Sequence, residues 1–298
     1  MLRGTDRPLT GILLMLGFCV LAPVGDAFAK VLGTRMGLGQ LIAVRFAVQA
    51  LMLVPLAMAV GLTLRPGRRI TWLVALRTVL HVAASWMMVA ALRHLPLADA
   101  IAIVFVMPFM VLILGHALLG EVVGPRRLAA CAFGFAGTLM VIQPSFVAVG
   151  WAALLPVGVA LSFTLFMLVT RHIAQEIDPI AMQAISAVMA SAVLVPALVA
   201  GHAAGLPELR LTGVEPHDAV LMVLMGVTTT VGLLLMTWAL RFAPAATLAP
   251  MQYLEIPIAT LIGWLVFHAL PNGLAAAGIV VTMAAGLYMI HRERLAAR

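Results

Sequence analysis

The chain has 298 residues, of which 64% are hydrophobic and 10% are charged, and its mean hydropathy is +1.14. This composition excludes a soluble domain with an ordinary polar surface and indicates an integral membrane protein. The formal charge of +7 does not indicate a nucleic-acid-binding protein, because the basic residues fall between apolar runs and not on one basic face interleaved with aromatics.

Ten apolar runs follow one another along the chain, and each approaches the length of about 20 residues that a membrane-spanning helix needs. They cover residues 9–29, 39–61, 71–92, 98–118, 127–143, 149–170, 179–200, 217–240, 246–268 and 272–290. Only short loops are left between them, so we expect no separate soluble domain. The first run is interpreted as a helix and not as a cleaved signal peptide, because it is too long and has a repeat partner at 149–170.

One stretch of the sequence is repeated in similar form. ALRHLPLADA begins at Ala91 and ALRFAPAATL begins at Ala239, and further along the chain Pro108 matches Pro257. We therefore predict two repeats, residues 1–145 and 146–298, with five runs each. Five is an odd number, so the second repeat enters the membrane from the opposite side. Inverted repeats of this kind are typical of transporters that hold their substrate near the bilayer midplane.

The distribution of basic residues predicts the orientation. With the N-terminus in the cytoplasm, most arginines fall in cytoplasmic loops and tails, whereas Lys30, Arg35, Arg93 and Arg210 fall in outer loops. This asymmetry follows the positive-inside rule. It predicts a multi-pass protein of a bacterial-type inner membrane with both termini in the cytoplasm.

Charged side chains inside the predicted spans are costly in lipid, which makes them the first functional candidates. Glu255 lies near the middle of the ninth run, one helical turn after Gln252, where it could accept an ammonium group or a coupling proton, or bond to a neighbouring helix. Asp26 precedes Lys30 by four residues, a spacing that predicts a local ion pair. Arg45 and Arg77 lie near predicted helix ends, so we expect them to snorkel towards the interface.

The third run carries a polar stripe of Arg77, His81 and Ser85, which should face protein or water. His81 is a candidate for gating transport by protonation, and a packing role is equally open. Glu255, His81 and Asp26 form the predicted coupling set, and Pro108 and Pro257 are the predicted hinges. The residues predicted to line a substrate cavity are His81, Ser85, Trp86, Phe105, Ser162, Phe163, Phe166, Thr229, Trp238, Gln252, Tyr253 and Glu255.

Motifs for enzymatic chemistry are missing. The sequence has no Walker phosphate loop, HExxH pair, CxxC pair or GxSxG elbow, so we expect a carrier that is not an enzyme and has no cofactor or metal. Cys19 and Cys131 fall within the apolar runs and predict no disulfide. The fifth and tenth runs are rich in small residues, which predicts either a scaffold or a dimer seam and leaves monomer and homodimer both open.

At these residues the chain resembles the EamA-type family of the drug/metabolite transporter superfamily. The strings that carry the resemblance are ALRHLPLADAIAIVFVMPFMVLILGHALLGE, WALRFAPAATLAPMQYLEIPIATLIGWLVF and GLYMIHRE. The resemblance implies ten helices, a cavity lined chiefly by the first, third, fourth, sixth, eighth and ninth, and outward transport, as in YddG-like amino-acid exporters. The chain departs from the family at one point. After Phe267 the family usually continues with Gly-Glu, whereas this chain has His268-Ala269. The first repeat keeps the pair as Gly120-Glu121.

We therefore predict an exporter of small metabolites, with aromatic or apolar amino acids as the first substrates, that rocks its two inverted halves in alternating access. Transport is either passive or proton-coupled. The alternatives are efflux of cationic drugs, favoured by the central carboxylate, and transport of a nucleotide-like or cofactor metabolite, which would need more deep basic residues. An intramembrane enzyme of lipid chemistry would need clustered carboxylates or histidines at ligand spacing, and the sequence shows none.

Overall fold

The computed structural model describes residues 7–33, 35–94, 103–142, 154–267 and 272–296, and within these ranges the regular secondary structure is helical. The long helices are α1 (Pro8–Gly33), α2 (Leu38–Ala59), α3 (Arg68–His94), α4 (Met107–Leu119), α5 (Pro125–Ile142), α6 (Leu154–Ile173), α7 (Pro179–Ala203), α8 (Pro216–Phe242), α9 (Glu255–Phe267) and α10 (Gly273–Ala296). A helical turn, Ala245–Leu248, and a 3-10 segment, Ala249–Leu254, precede α9.

The outer surface of this bundle is apolar. Leu51, Val79 and Phe133 are 76%, 64% and 66% exposed, as expected for side chains that face lipid. Among the described residues, six helices are long and apolar enough to cross a membrane: α1, α2, α3 over Arg68–Met88, α6, α7 and α8. The predicted class of all-helical membrane protein is confirmed, but by length and hydropathy six spans qualify here and not ten.

Helices from the two predicted repeats interlock. The most extensive packing is between α1 and α8, α2 and α7, α3 and α6, and α5 and α10, so each pair takes one helix from each repeat. By contrast, α1 and α2, which are neighbours in sequence, barely touch. The two halves of the sequence are therefore not separate bodies. A rocking motion of one half against the other, as predicted from the repeat alone, would have to break the most extensive helix contacts among the described residues.

The small residues of α5 and α10 serve this internal packing. A Cβ atom added to Gly137 would lie 2.8 Å from Thr282 Cγ2, and one added to Gly278 would lie 2.6 Å from the Gly137 carbonyl oxygen. Backbones approach this closely only where side chains are absent. Of the two interpretations, scaffold or dimer seam, the scaffold describes these glycines, because their surface is occupied within the chain.

The ninth apolar run is broken, where the sequence pattern predicted one helix over 246–268. The chain changes from an α-turn to a 3-10 segment and back before Glu255 begins α9. Pro250 and Pro257 explain the break, because each lacks a backbone N–H and crowds the preceding turn. The fourth run is interrupted in the same way. Phe105 and Val106 form a turn, and α4 begins at Met107, next to Pro108, the repeat partner of Pro257. Both repeats thus carry a discontinuous helix, a feature of transporter binding sites.

Candidate functional site

His81 lies at the centre of an aromatic cluster built by α2, α3 and α6. Its ring packs 4.8 Å from Phe166, 5.4 Å from Phe46 and 6.2 Å from Phe163, measured between ring centroids. Arg45 Nη2 donates to His81 Nε2 at 3.3 Å. The structure therefore brings together three predicted residues, His81, Phe163 and Phe166, and adds Phe46 and Arg45.

Three charged side chains, Asp26 of α1, Arg45 of α2 and Glu255 of α9, lie beside this cluster. Asp26 is exposed, and Arg45 and Glu255 are half-buried. Arg45 is within electrostatic range of Asp26, and Asp26 is within electrostatic range of Glu255. Charges inside membrane segments are costly in lipid, which makes this group a candidate substrate or coupling site.

Asp26 and Arg45 are not held in a direct salt bridge. Asp26 and Arg45, both described, attract each other without a direct ion pair, and Arg45 Nε is buried without a hydrogen-bond partner among the described residues. Arg45 of the next helix is within electrostatic range of Asp26, whereas the spacing along α1 predicted an ion pair with Lys30. The snorkelling predicted for Arg45 is also wrong, because its guanidinium points inwards to His81.

Arg77 is the largest fully buried side chain among the described residues. Its Nε donates to Thr170 Oγ1 at 2.9 Å, its Nη1 donates to Ser186 Oγ at 2.7 Å, and its guanidinium carbon lies 4.5 Å from the centre of the Phe166 ring. The predicted snorkelling is wrong here too. Arg77 joins α3 to α6 and α7 through two hydroxyl acceptors and a π face, while its Nη2 has no hydrogen-bond partner among the described residues.

The segment before α9 places Gln252 and Tyr253 against other helices. Tyr253 is buried, donates from its hydroxyl to the Phe105 carbonyl oxygen at 3.1 Å and stacks on the Phe105 ring with 6.0 Å between centroids. Gln252 Nε2 donates to Met167 Sδ at 3.0 Å, and its Oε1 has no hydrogen-bond partner in the described part of the chain. The two discontinuous helices therefore meet at Phe105 and Tyr253.

Other predicted cavity residues lie apart from the His81 cluster or serve packing. Thr229 donates its hydroxyl to the Met225 carbonyl and packs its methyl group against Gly25 of α1. Ser85 donates to the His81 carbonyl, and Ser162 is half-buried. Trp86 packs with Phe46 at the edge of the cluster. Trp238 lines a different pocket, of about 340 Å³, at the end of α8.

One buried chain of polar bonds involves residues that the sequence reasoning missed. Gln49 Nε2 donates to Gln183 Oε1 at 2.9 Å, and Gln183 Nε2 donates to Thr237 Oγ1 at 2.7 Å. It connects α2, α7 and α8 and so crosses between the repeats. The signal is present in the sequence, since a glutamine in the middle of an apolar run is costly unless it is hydrogen-bonded. Among the described residues, no group of three His, Cys, Asp or Glu side chains is arranged to hold a metal ion.

Comparison with known proteins agrees with the duplicated, helical architecture. A riboflavin transporter from Rhizobium johnstonii is 34% identical over 243 residues, which are 80% of this chain and 74% of that protein. A riboflavin transporter from Brucella anthropi is 26% identical over 73% of this chain and 76% of its own length. An S-adenosylmethionine uptake transporter from Rickettsia bellii is 25% identical and covers 93% of this chain and 92% of its own.

A solved structure shares the fold, with a TM-score of 0.73 and 18% identity over 94% of this chain and 95% of that one. The model of the EamA-like transporter family matches twice, at residues 9–143 and 150–291. The resemblance inferred from the sequence is thereby confirmed. The protein is a multi-pass membrane transporter of small metabolites and not an enzyme. The chain belongs to the EamA-like transporter family.

Proposed function

We propose that this protein carries a cofactor-sized metabolite with a planar heteroaromatic ring, riboflavin first, across a bacterial inner membrane. The observation that carries the proposal is the group of charged side chains, Asp26, Arg45 and Glu255, beside the aromatic cluster of His81. Aromatic rings bind a planar ring system by stacking. The names of the relatives support the same class of substrate and give no support to amino-acid export in particular.

The formal charges favour a substrate without net charge. Two acids, Asp26 and Glu255, and two bases, Arg45 and Arg77, lie in and beside the aromatic cluster. Riboflavin is uncharged near neutral pH, and its ring edge alternates carbonyl acceptors with an N–H donor. The Arg45 guanidinium is a donor and the Asp26 carboxylate is an acceptor, and such an edge needs both kinds of partner. The small number of basic residues argues against an anionic substrate, but it does not argue against uncharged riboflavin.

A second candidate class is supported by the same two side chains. An α-amino acid head group presents a carboxylate and an ammonium group, which complement Arg45 and Asp26. This favours S-adenosylmethionine, and after it free amino acids such as Phe, Thr and Met. Efflux of cationic drugs is less favoured, since Arg45 offsets the charge of the carboxylates.

Transport proceeds by alternating access in which the discontinuous helices move. They do not belong to the four interlocked helix pairs, so they can move without separating those pairs. Pro108 and Pro257 are the hinges, and Phe105 and Tyr253 mark their contact. Glu255, with Asp26 and His81, couples transport to protons. The uptake named for the Rickettsia relative favours inward transport. The positive-inside pattern of the sequence supports cytoplasmic termini.

The test is uptake of labelled riboflavin into proteoliposomes with and without an imposed pH gradient, and with S-adenosylmethionine and amino acids as competitors. We expect saturable uptake that unlabelled riboflavin abolishes and amino acids leave unchanged. Protein-free liposomes are the blank, and Arg45→Gln protein is the matched control. Uptake of S-adenosylmethionine or amino acids instead would favour the second class. Absence of riboflavin flux and of riboflavin binding by folded protein would reject the first.

A further inference from the structure

Glu121 lies between the two repeats, at the end of the molecule where α4, α6 and α8 terminate. The backbone there is fixed locally. Gly120, with φ of 66°, ends α4 in the left-handed region, its N–H donates to the His116 carbonyl, and the Glu121 N–H donates to the Gly115 carbonyl. The Gly120 bond is that of an αL C-cap, which glycine favours because it has no Cβ. His116 Nδ1 lies 3.0 Å from the Glu121 carbonyl oxygen. The Glu121 side chain therefore leaves α4 in a defined direction.

The carboxylate binds the start of the discontinuous ninth helix. Ala245 N donates to Glu121 Oε1 at 2.9 Å, and Ala246 N donates to Oε2 at 2.7 Å. These are the first backbone donors after Pro244, and they would otherwise have no acceptor inside the short turn. The Glu121 side chain is only 9% exposed, so the two bonds are shielded from water.

Arg171 completes the arrangement from α6. Its Nε lies 3.8 Å from Glu121 Oε1, and its Nη1 donates to the Leu240 and Arg241 carbonyls at 2.8 and 3.2 Å. Gln175 also donates to the Arg241 carbonyl. The last carbonyls of α8 thus face a cation, which suits the negative end of a helix dipole. One acid–base pair, Glu121 and Arg171, holds both sides of the joint between α8 and the segment that follows.

This joint lies directly before the segment that carries candidate substrate residues. Residues 245–253 are buried without interruption and lead directly to Gln252, Tyr253 and Glu255. The second repeat has no equivalent acid, since residues 268–271 read His-Ala-Leu-Pro. The Glu121 carboxylate therefore has no counterpart in the sequence of the second repeat.

We propose that Glu121, through Arg171 and the first N–H groups of the ninth segment, is a positioning residue that latches the transporter shut at this end. Its absence from the second repeat makes the resting state asymmetric. Alternating access then requires the Glu121 contacts to Ala245 and Ala246 to break when this end opens. The proposal does not depend on which metabolite is carried.

The test measures access to a buried cysteine from each side of the membrane. Cys19 and Cys131, both buried, are replaced by alanine, and the fully buried Thr164 of α6 is changed by Thr164→Cys, which introduces a single reactive thiol. A charged, membrane-impermeant thiol reagent is then added to one side of sealed vesicles. A separate cysteine at exposed Glu176, which follows α6, identifies the vesicle face at the Glu121 end.

We expect Glu121→Gln to increase labelling of the Thr164→Cys protein from the Glu121 end by about fivefold, the effect of weakening one cap and one ion pair. Labelling from the opposite face should fall or stay the same. Arg171→Gln, which leaves the cap in place, should act in the same direction and add little to Glu121→Gln. Glu176→Gln, which changes the same charge in an exposed pair with Arg69, should have no effect.

The latch is rejected if both single variants label at the wild-type rate from the Glu121 end. It is also rejected if labelling rises equally from both faces, because that would indicate general loosening. Thermal unfolding of each variant is measured beside the labelling. If Glu121→Gln protein does not fold, the Arg171→Gln result decides. None of these outcomes requires substrate, so failure of riboflavin uptake and failure of the latch are distinguishable.

Discussion

Arg45 and Arg77 are both arginines inside apolar helices, and their surroundings differ. Arg77 is fully buried, with two donors on hydroxyl groups of neighbouring helices, an aromatic face beneath it and one nitrogen, Nη2, without a hydrogen-bond partner among the described residues. Arg45 is half-buried, contacts His81 and is within electrostatic range of Asp26, and its Nε likewise lacks a partner among the described residues. A charge in a membrane segment therefore does not by itself mark a substrate site. The difference between the two lies in exposure and in the nearby acid, and it makes Arg45 the candidate.

The largest effect on stability is expected from Arg77→Ala. The change removes the bonds to Thr170 and Ser186 and leaves a cavity where α3, α6 and α7 meet, at a cost of about 2–4 kcal/mol. Thermal unfolding in detergent measures it, with Arg69→Ala at the exposed end of α3 as the control. Wild-type stability combined with lost transport would instead place Arg77 at the substrate and end the contrast with Arg45.

Arg45→Gln should have the opposite profile. We expect riboflavin uptake to fall at least tenfold, on the order of one lost charge-assisted hydrogen bond, with an unfolding temperature close to that of the wild type. Arg45→Lys keeps the charge but not the planar fork, so it should recover part of the activity. A loss of stability as large as that of Arg77→Ala would show that Arg45, like Arg77, mainly stabilises the fold.

Glu255→Gln should uncouple transport from protons and leave folding intact. Wild-type uptake is expected to respond to an imposed pH gradient, and uptake by the variant should be equal with and without one, because an amide does not titrate. Initial rates at several external pH values measure this. Retained pH dependence in folded Glu255→Gln protein would transfer the coupling role to Asp26 or His81.

Asp26→Asn should give the smallest effect, a rise in the KM for riboflavin of about three- to tenfold with an unchanged maximal rate, because an acceptor for the ring edge is weakened. Glu215→Gln is the matched control, since this exposed residue makes no side-chain cap at the start of α8. An unchanged KM would remove Asp26 from the site and leave Arg45 without its expected counterpart.

The broad architecture was predictable because membrane helices leave a direct signal in hydropathy, and most predicted runs match described helices closely. The break before Glu255 was not predicted, although Pro250 and Pro257 were visible, because hydropathy does not distinguish an apolar 3-10 segment from an α-helix. The grouping of His81, Phe163 and Phe166 could be anticipated from polar and aromatic residues at mid-span. Phe46 could not, since nothing in its own run sets it apart.

The arginines show where sequence reasoning failed. Distance from a helix end predicted that Arg45 and Arg77 would both snorkel, because position along one helix was the only information. Their true environments depend on Ser186 and Thr170 for one and on Asp26 and His81 for the other, all brought by other helices. Gln49 and Gln183 were missed for another reason. The argument that an unpaired polar group is costly to bury was applied to charged side chains and not extended to amides.

The interlocking of the repeats has a consequence for how the protein is made. α1 packs on α8 and α2 packs on α7, so the first helices to leave the ribosome have no permanent partners until most of the chain has been synthesised. Until then, polar side chains such as Gln49 and Arg45 must be exposed to lipid or make temporary contacts. Assembly is therefore a late, cooperative event, and a chain truncated after the first repeat would insert into the membrane without reaching a native core.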